Sequence, residues 1–484
     1  MAISAGPEST PADRGLSVPA PDSVPRTGRA VSSVIESRGA ERVPLAERHG
    51  NPIQLLWTWS SPNLEFATIF VGFIGVAHFG LNPLQALGAI VTGNALAAFF
   101  HFCLSARGPR LGVPQMALNR LAFGRVGNTL PAAVSALTAG VGWFAVNALS
   151  AAFALNALLG IHTGLSLLVV ATFQILVAVF GYDMVHTVER YLFPVLAVIF
   201  ATVSVAILAR GDISAPSSGG GLAGFTLTAA ACFGYSAGWN PYAADYTRYF
   251  PPGRSTERRV GMYAAAGLFL TTTVLEFVGA VAATLIPADS GNPVGDFTGQ
   301  LPTALGALAL LAVTLGASAA NVINIYSAAL SFLSVGVRLG HRHSRALTSA
   351  ALGATGTAVA YVTLSDSGAR YESFLLIVAY WLGPWLGVVF SDMVLHRSRN
   401  DDTALDEPNY TNWAGPIALI TATAVSVWLF SNQTQYVGAI ARHFPHLGDV
   451  TFLAGFLISA GVFAAASTVP QLAASKDSGV QPDR

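Results

Sequence analysis

Two clusters of helix-breaking residues sit where a hydrophobic chain tolerates them least. Asn240-Pro241 interrupts an apolar segment within Gly234-Tyr-Ser-Ala-Gly-Trp-Asn-Pro-Tyr-Ala-Ala-Asp245, and Trp59-Ser-Ser-Pro-Asn63 interrupts the first apolar segment of the chain. A break frees backbone N–H and C=O groups that lipid cannot satisfy, so it survives only where protein or a cavity lines it. Two such breaks, five segments apart, are the sequence mark of a secondary transporter built from inverted repeats, with its binding site at the breaks.

Composition agrees with a membrane protein. The 484 residues are 53% hydrophobic and only 10% charged, with 48 Gly and 26 Pro. That is too apolar for a water-soluble domain, and Gly and Pro are both frequent in membrane helices. A net charge of zero gives no reason to expect a nucleic-acid partner. The two cysteines, Cys103 and Cys232, lie in apolar segments and define neither a disulfide framework nor a metal site.

Apolar runs of roughly 20 residues divide the chain into twelve spans, near 54–79, 82–106, 129–159, 163–181, 185–209, 223–244, 260–286, 303–337, 347–364, 371–395, 413–431 and 449–470. Spans 3 and 8 are long, which implies tilt or helix beyond the bilayer. Residues 1–49 are rich in Pro, Ser, Ala, Gly and Arg without an apolar run, and read as a mobile cytoplasmic tail. They are not a secretory signal, because no short apolar core follows their arginines. The expected transporter domain covers 50–475, and 476–484 forms a second cytoplasmic tail.

The charges support the count. With both termini inside, 22 of the 25 Lys and Arg residues fall in cytoplasmic segments or span ends, among them Arg107, Arg110, Arg120, Arg125, Arg254, Arg258 and Arg259. Only Arg210, Arg370 and Arg442 fall outside. An odd error in the number of spans would scramble this sorting, so the positive-inside rule favours twelve. Spans 1 and 6 then start on opposite faces of the membrane, each opening a five-span unit. The predicted fold is an all-α membrane protein with twelve transmembrane helices. Repeats over 54–209 and 223–395 form an inverted pair with discontinuous helices 1 and 6, and peripheral helices occupy 413–470.

Polar and aromatic groups mark the candidate site. Trp143 and Asn147 in span 3 are four apart and share a helix face. An indole plane beside an amide can grip a planar ring with amide-like edges; alternatively Trp143 faces lipid or core and Asn147 makes an interhelical contact. Tyr235, Ser236 and Trp239 surround the span 6 break, which reads either as an unwound binding segment or as a Pro kink with an interfacial Trp. Ser318, Asn321, Asn324, Ser327 and Ser331 form a polar stripe in span 8 that either glues helices or lines a cavity. Glu65, after the first break, and Glu276, in span 7, are intramembrane carboxyls that can bind a proton or pair with a buried donor. Asp245 and Arg248 read as a structural anchor at the cytoplasmic end of span 6. No zinc ligand set, Walker loop or Ser/His/Asp context is present, so an enzyme is not expected.

At these residues the chain resembles a known family. Ser105-Ala-Arg-Gly-Pro-Arg-Leu-Gly-Val-Pro-Gln-Met-Ala-Leu-Asn-Arg-Leu-Ala-Phe-Gly124 is similar to the loop between spans 2 and 3 of nucleobase:cation symporter-1 proteins. Gly238-Trp239 with Ala243-Ala-Asp-Tyr-Thr-Arg-Tyr249 resembles their span 6, and Asn321 to Leu330 their span 8. The likeness covers roughly residues 50–470 and is closer to the purine–cytosine permease branch. The Asn-x-Asp-Leu-x-Pro opening of the uracil–allantoin branch is absent, and Trp57-Thr-Trp-Ser-Ser-Pro-Asn63 stands in its place.

The resemblance implies a five-plus-five inverted repeat with two extra helices, and import of a nucleobase such as cytosine, adenine, guanine or hypoxanthine with Na⁺ or H⁺. It implies substrate contacts at Trp143 and Asn147, at Trp239 with Tyr235 and Ser236, at Asn324, and at Ser60 or Ser61 in the first break. Sodium-driven relatives carry a Ser-Thr pair on span 8 facing span 1 carbonyls. This chain has Ser318-Ala319 there, so any Na⁺ site would hold Ser318 with one hydroxyl ligand missing. That loss moves the expectation toward H⁺, carried by Glu65 or Glu276, with no other cofactor. The partners are then a small base and the plasma-membrane bilayer. A related heterocycle (uracil, allantoin, hydantoin) is the alternative cargo. A receptor or channel is the alternative class, although a channel would need a continuous polar pore, whereas these groups cluster near the middle.

Overall fold

A computed structural model of the chain describes residues 1–2, 41–180, 182–288, 292–336, 344–364 and 367–474, with the backbone alone at 178–180, 182–189, 344–345 and 367. The tails expected over 3–40 and 476–484 lie outside the described residues, and with them Arg14, Arg26, Arg29, Arg38, Arg338, Arg342, Lys476 and Arg484. The regular structure described is helical, apart from two isolated bridges, Gly124 with Thr411 and Asn432 with Val437.

Both breaks fall at their breaker residues. Span 1 is two helices, Gln54–Ser60 and Phe66–Ala77, joined by a 3-10 turn at Ser61–Asn63 and an extended Glu65. Span 6 is Gly221–Ala237 and Ala243–Thr247, joined by a 3-10 turn at Asn240–Tyr242. Pro62 and Pro241 open these turns, where their missing N–H groups leave no helical bond unmade. Span 3 carries a further irregularity: a π-helical turn at Thr138–Trp143 separates Thr129–Leu137 from Phe144–Leu159.

The other spans are Pro83–Ser105, Thr163–Phe180, Tyr182–Leu208, Arg254–Ala282, Thr303–Ser334, Ser344–Val362, Ser367–Leu395, Ala414–Phe430 and Thr451–Ala466. They match the predicted spans within a few residues at most ends. Among the described residues, six helices are long and apolar enough to cross a membrane, and shorter apolar helices accompany them.

Helix pairing carries the repeat. Span 1 packs on span 7 and span 6 on span 2; span 3 packs on span 8 and span 4 on span 9. Replacing each span by its counterpart in the other repeat maps this set onto itself, as an inverted five-plus-five architecture requires. Spans 11 and 12 pack on each other and on span 10, outside the repeats. Glycine makes the tightest of these contacts possible. A Cβ at Gly72 would lie 1.7 Å from Glu276 O, and one at Gly279 the same distance from Ile69 O. The second half of span 1 therefore meets span 7 backbone to backbone, the close approach that small residues permit between membrane helices.

Residues 41–49, assigned to the tail by composition, are packed on the body instead. Val43 N–H donates to Gly112 O at 2.8 Å and His49 N–H to Tyr249 O at 2.6 Å. Arg48, 8% exposed, donates to Val43 O at 2.9 Å and Pro109 O at 2.6 Å. A guanidinium that caps loop carbonyls orders this segment without any apolar run. The expected anchor at the end of span 6 joins the same region. Asp245 Oδ1 accepts from Gln115 N–H at 2.9 Å, and Arg248 donates to Tyr249 Oη at 2.9 Å and Glu41 O at 3.3 Å.

Candidate functional site

The breaks are bonded to each other. Asn63 Nδ2 donates at 2.7 Å to Trp59 O, in the last turn before the break. Its Oδ1 accepts from Trp239 Nε1 at 2.9 Å, so one side chain caps span 1 and fixes the indole of span 6. Thr68 Oγ1 donates to Asn63 O at 2.7 Å and lies 2.5 Å from Tyr235 Oη, which is also within hydrogen-bond reach of Glu65 Oε1 at 3.2 Å. Freed backbone is thus satisfied by side chains crossing between the half-helices, as lipid-depth breaks require.

Between the breaks lies a small cavity lined by Glu65, Trp143, Asn147, Tyr235, Trp239 and Asn324. Its volume, the space open to the centre of a water-sized sphere, is about 10 Å³. That is about one water's worth, so a planar ring enters only if the walls part. Trp143 sits at the end of the π turn, a distortion frequent at functional sites. Its ring meets Tyr235 edge-on at 5.5 Å and Phe374 at 4.9 Å. Gly238 faces it so closely that a Cβ there would come 2.9 Å from the indole.

The cavity is closed on two sides by different means. On one side Phe374, packed on Trp143, also lines a larger cavity of about 240 Å³ whose walls include Phe66, Phe70, Val146, Thr363 and Arg370. On the other side an aromatic cluster fills the space: Trp59 packs on His101 at 4.3 Å, Tyr246 at 5.7 Å and Trp239 at 5.9 Å.

Of the residues singled out from sequence, Trp143, Asn147, Tyr235, Trp239 and Asn324 converge here, and Glu65 joins them as a wall residue. Ser60, Ser61 and Ser236 do not line the cavity. Ser60 Oγ donates to Gly267 O in span 7 at 3.2 Å, and Ser61 is fully buried. Ser236 Oγ donates to Asn94 Oδ1 at 2.6 Å, while Asn94 Nδ2 donates to Glu276 Oε2 at 2.7 Å. Glu276 therefore belongs to a second polar group between spans 2, 6 and 7. Ser318 Oγ turns to span 4, where Gln174 Nε2 donates to it at 3.3 Å.

Sequence reasoning passed over Asn63 as a contact, and over Gln174, Asn94 and Phe374. Gln174 and Asn94 carried a usable signal: each is an amide isolated in an apolar span, and intramembrane polar groups face the bundle interior. Phe374 carried none, because a Phe in a membrane helix is ordinary.

Comparison with known proteins places this architecture. The family described as "Permease for cytosine/purines, uracil, thiamine, allantoin" matches residues 42–455, and the chain belongs to that family. It is 28% identical over 443 residues to the putative purine-cytosine permease YxlA of Bacillus subtilis, covering 88% of this chain and 94% of the relative. It is also 28% identical over 455 residues to the purine-cytosine permease fcyB of Emericella nidulans, covering 88% and 87%. Among solved structures, the nucleobase-cation-symport-1 family transporter Mhp1, closed with bromovinylhydantoin bound, superposes with a TM-score of 0.71 at 18% identity, over 90% of this chain and 96% of Mhp1. Its inward-facing form gives 0.68 at 20% identity. The superposition establishes the inverted-repeat transporter fold. The chain is a multi-pass membrane protein of a permease family.

Proposed function

We propose that this protein imports a nucleobase of the cytosine and purine class by cation symport with alternating access. One observation carries the reading: a closed cavity at two helix breaks, walled by two indoles, a phenol, two amides and a carboxyl. Indole faces stack on planar rings, and amides pair with ring edges that bear both donors and acceptors. No lining residue is cationic, so a nucleotide phosphate would lack a partner there. The relatives named purine-cytosine permeases support the same class. Transport requires each closure to open in turn, Phe374 on one side and the Trp59 cluster on the other.

For the coupling ion we infer H⁺, bound at Glu65. Its Oε2 is buried without a partner in the cavity wall, so a proton taken there sits beside the base. Coupling needs an ion whose binding favours the same conformation as the substrate. Ser318 is less suited to Na⁺, because its hydroxyl already accepts from Gln174 and donates to Thr314 O at 2.7 Å. We propose a plasma-membrane location, as an importer requires, with both ends cytoplasmic on the 22-to-3 division of its Lys and Arg residues.

Uptake of radiolabelled cytosine, adenine, hypoxanthine, uracil and allantoin into sealed vesicles tests the reading. Concentrative uptake of cytosine or a purine, abolished by a protonophore and indifferent to Na⁺, is the expected result. Transport of allantoin or uracil alone would transfer the site to a related heterocycle, and equilibration without accumulation would make it a channel.

A further inference from the structure

The amides behind the cavity form a network whose direction is fixed at its ends. Main-chain carbonyls accept hydrogen bonds and never donate. Ser318 Oγ donates to Thr314 O at 2.7 Å, so it accepts from Gln174 Nε2 at 3.3 Å. Gln174 consequently presents Oε1 to span 8, where Asn321 Nδ2 donates to it at 2.8 Å. The same Nδ2 donates to Phe144 O at 2.9 Å, so two fixed acceptors hold the amino end of Asn321. Its Oδ1 is left to accept from Asn147 Nδ2 at 3.2 Å and Asn324 Nδ2 at 3.4 Å.

Both site asparagines therefore turn their amino groups toward Asn321. Their Oδ1 atoms are buried without a partner, and both residues line the cavity. Glu65 Oε2 is a third unpartnered oxygen in the same wall, against one unpartnered donor, Trp143 Nε1. Turning either asparagine over would set its carbonyl against the carbonyl of Asn321, so the arrangement resists reversal.

We propose that Gln174 and Asn321 are positioning residues that set the specificity of the cavity. They hold Asn147 and Asn324 with carbonyl oxygens toward the ligand, so the site selects a base carrying an exocyclic amino group over its oxo counterpart. The inference rests on the nucleobase reading above. Cytosine and adenine bring N–H donors to these oxygens. Uracil and hypoxanthine bring a carbonyl to the position of the amino group, and two acceptors then face each other in a water-poor cavity. A site built for a donor rejects the analogue that lacks it by roughly tenfold or more.

The test is uptake of radiolabelled cytosine by the full chain in proteoliposomes, with unlabelled cytosine, uracil, adenine and hypoxanthine as competitors. Cytosine and adenine should compete at least roughly tenfold better than uracil and hypoxanthine. Asn321→Leu frees both amides and should bring the ratio toward one. Gln174→Glu still accepts from Asn321 and should keep it. A merely structural network would change uptake rate or unfolding temperature in these variants without moving the ratio. Cytosine uptake inhibited equally well by uracil would overturn the inference and leave the transport reading intact, whereas a parent chain that takes up no base would overturn both. If Asn321→Leu does not fold, Gln174→Leu against Gln174→Glu decides the role of the network, and equal ratios in that pair would overturn it.

Discussion

Glu65 and Asp392 are equally buried, each 1% exposed, yet their surroundings differ in kind. Asp392, near the end of span 10, is fully matched. Arg399 donates from Nη1 to Oδ1 at 3.0 Å and from Nη2 to Oδ2 at 2.7 Å, and His396 Nδ1 lies 2.8 Å from Oδ1. Arg399 also donates to Tyr410 Oη at 3.0 Å and to Leu121 O at 3.3 Å. Burial holds the Tyr410 phenol up at about 12, so it stays protonated and donates to Leu121 O at 2.9 Å. Beyond it, Arg107 and Arg110 share Asp401 at 3.2 and 2.7 Å.

Glu65 has one hydrogen-bonded oxygen and one without a partner, and around it the amides of Asn147 and Asn324 are half satisfied. The difference separates structure from function. A network whose donors and acceptors are matched has nothing left for a ligand. It ties the loop after span 2 to the segment after span 10. An incomplete network in a closed cavity retains capacity for a partner that arrives and leaves. A largely buried ion pair is weak evidence of net stability but costly to halve, whereas unmatched acceptors at helix breaks are where a ligand makes the difference.

Four substitutions can break this contrast. Asp392→Ala strips the Arg399 guanidinium of its two-pronged partner and leaves it only Asp401 at 3.2 Å as a counter-charge, and should destabilise the fold by about 1.5–3 kcal/mol, read as a fall in unfolding temperature in detergent. An unchanged unfolding temperature would mean that the two networks do not differ. Asn324→Ala should do the reverse. The fold persists, but one base edge loses its acceptor, at about 1–3 kcal/mol, or roughly 5- to 150-fold in cytosine affinity by competition. Normal affinity in both this variant and Asn147→Ala would remove the amides from the site.

Asn63→Ala releases Trp239 Nε1 and Trp59 O without touching the cavity wall. It should weaken cytosine binding by about 1 kcal/mol, roughly fivefold, and Asn63→Asp, which still accepts from the indole, should recover most of the loss. The smallest effect belongs to Arg42→Ala. Arg42 pairs with Asp402 and Asp406 at the exposed rim of the charged region, where ion pairs contribute at most about 1 kcal/mol. A large loss of stability there would show that the rim, not the buried Asp392 pair, holds the loops together.

Much of this was legible in the sequence because the rules behind it are local. A lipid-spanning segment must be apolar over its whole length, so the spans announce themselves and their ends fall near the expected residues. Pro62 and Pro241 cannot donate, so the breaks had to fall where they do. Trp143 and Asn147 share a face through helical periodicity alone. Other features depended on partners distant in sequence. Ser60 and Ser236 stood beside the breaks and were natural site residues, but a hydroxyl's direction depends on which carbonyl or amide lies nearest. Gly267 O and Asn94 drew both away from the cavity.

The sequence by itself determined a twelve-span helical membrane protein, its two broken helices and the aromatic and amide identity of its site. Hydropathy, charge sorting and proline stereochemistry act through neighbouring residues and need no third dimension. Only the tertiary structure decided that Glu65 faces the cavity while Glu276 lies behind span 6 against Asn94. It alone set Gln174 against Ser318 and Asn321, and so turned two asparagine carbonyls inward. Hydrogen-bond direction propagates from one side chain to the next across helices that meet only in the folded chain.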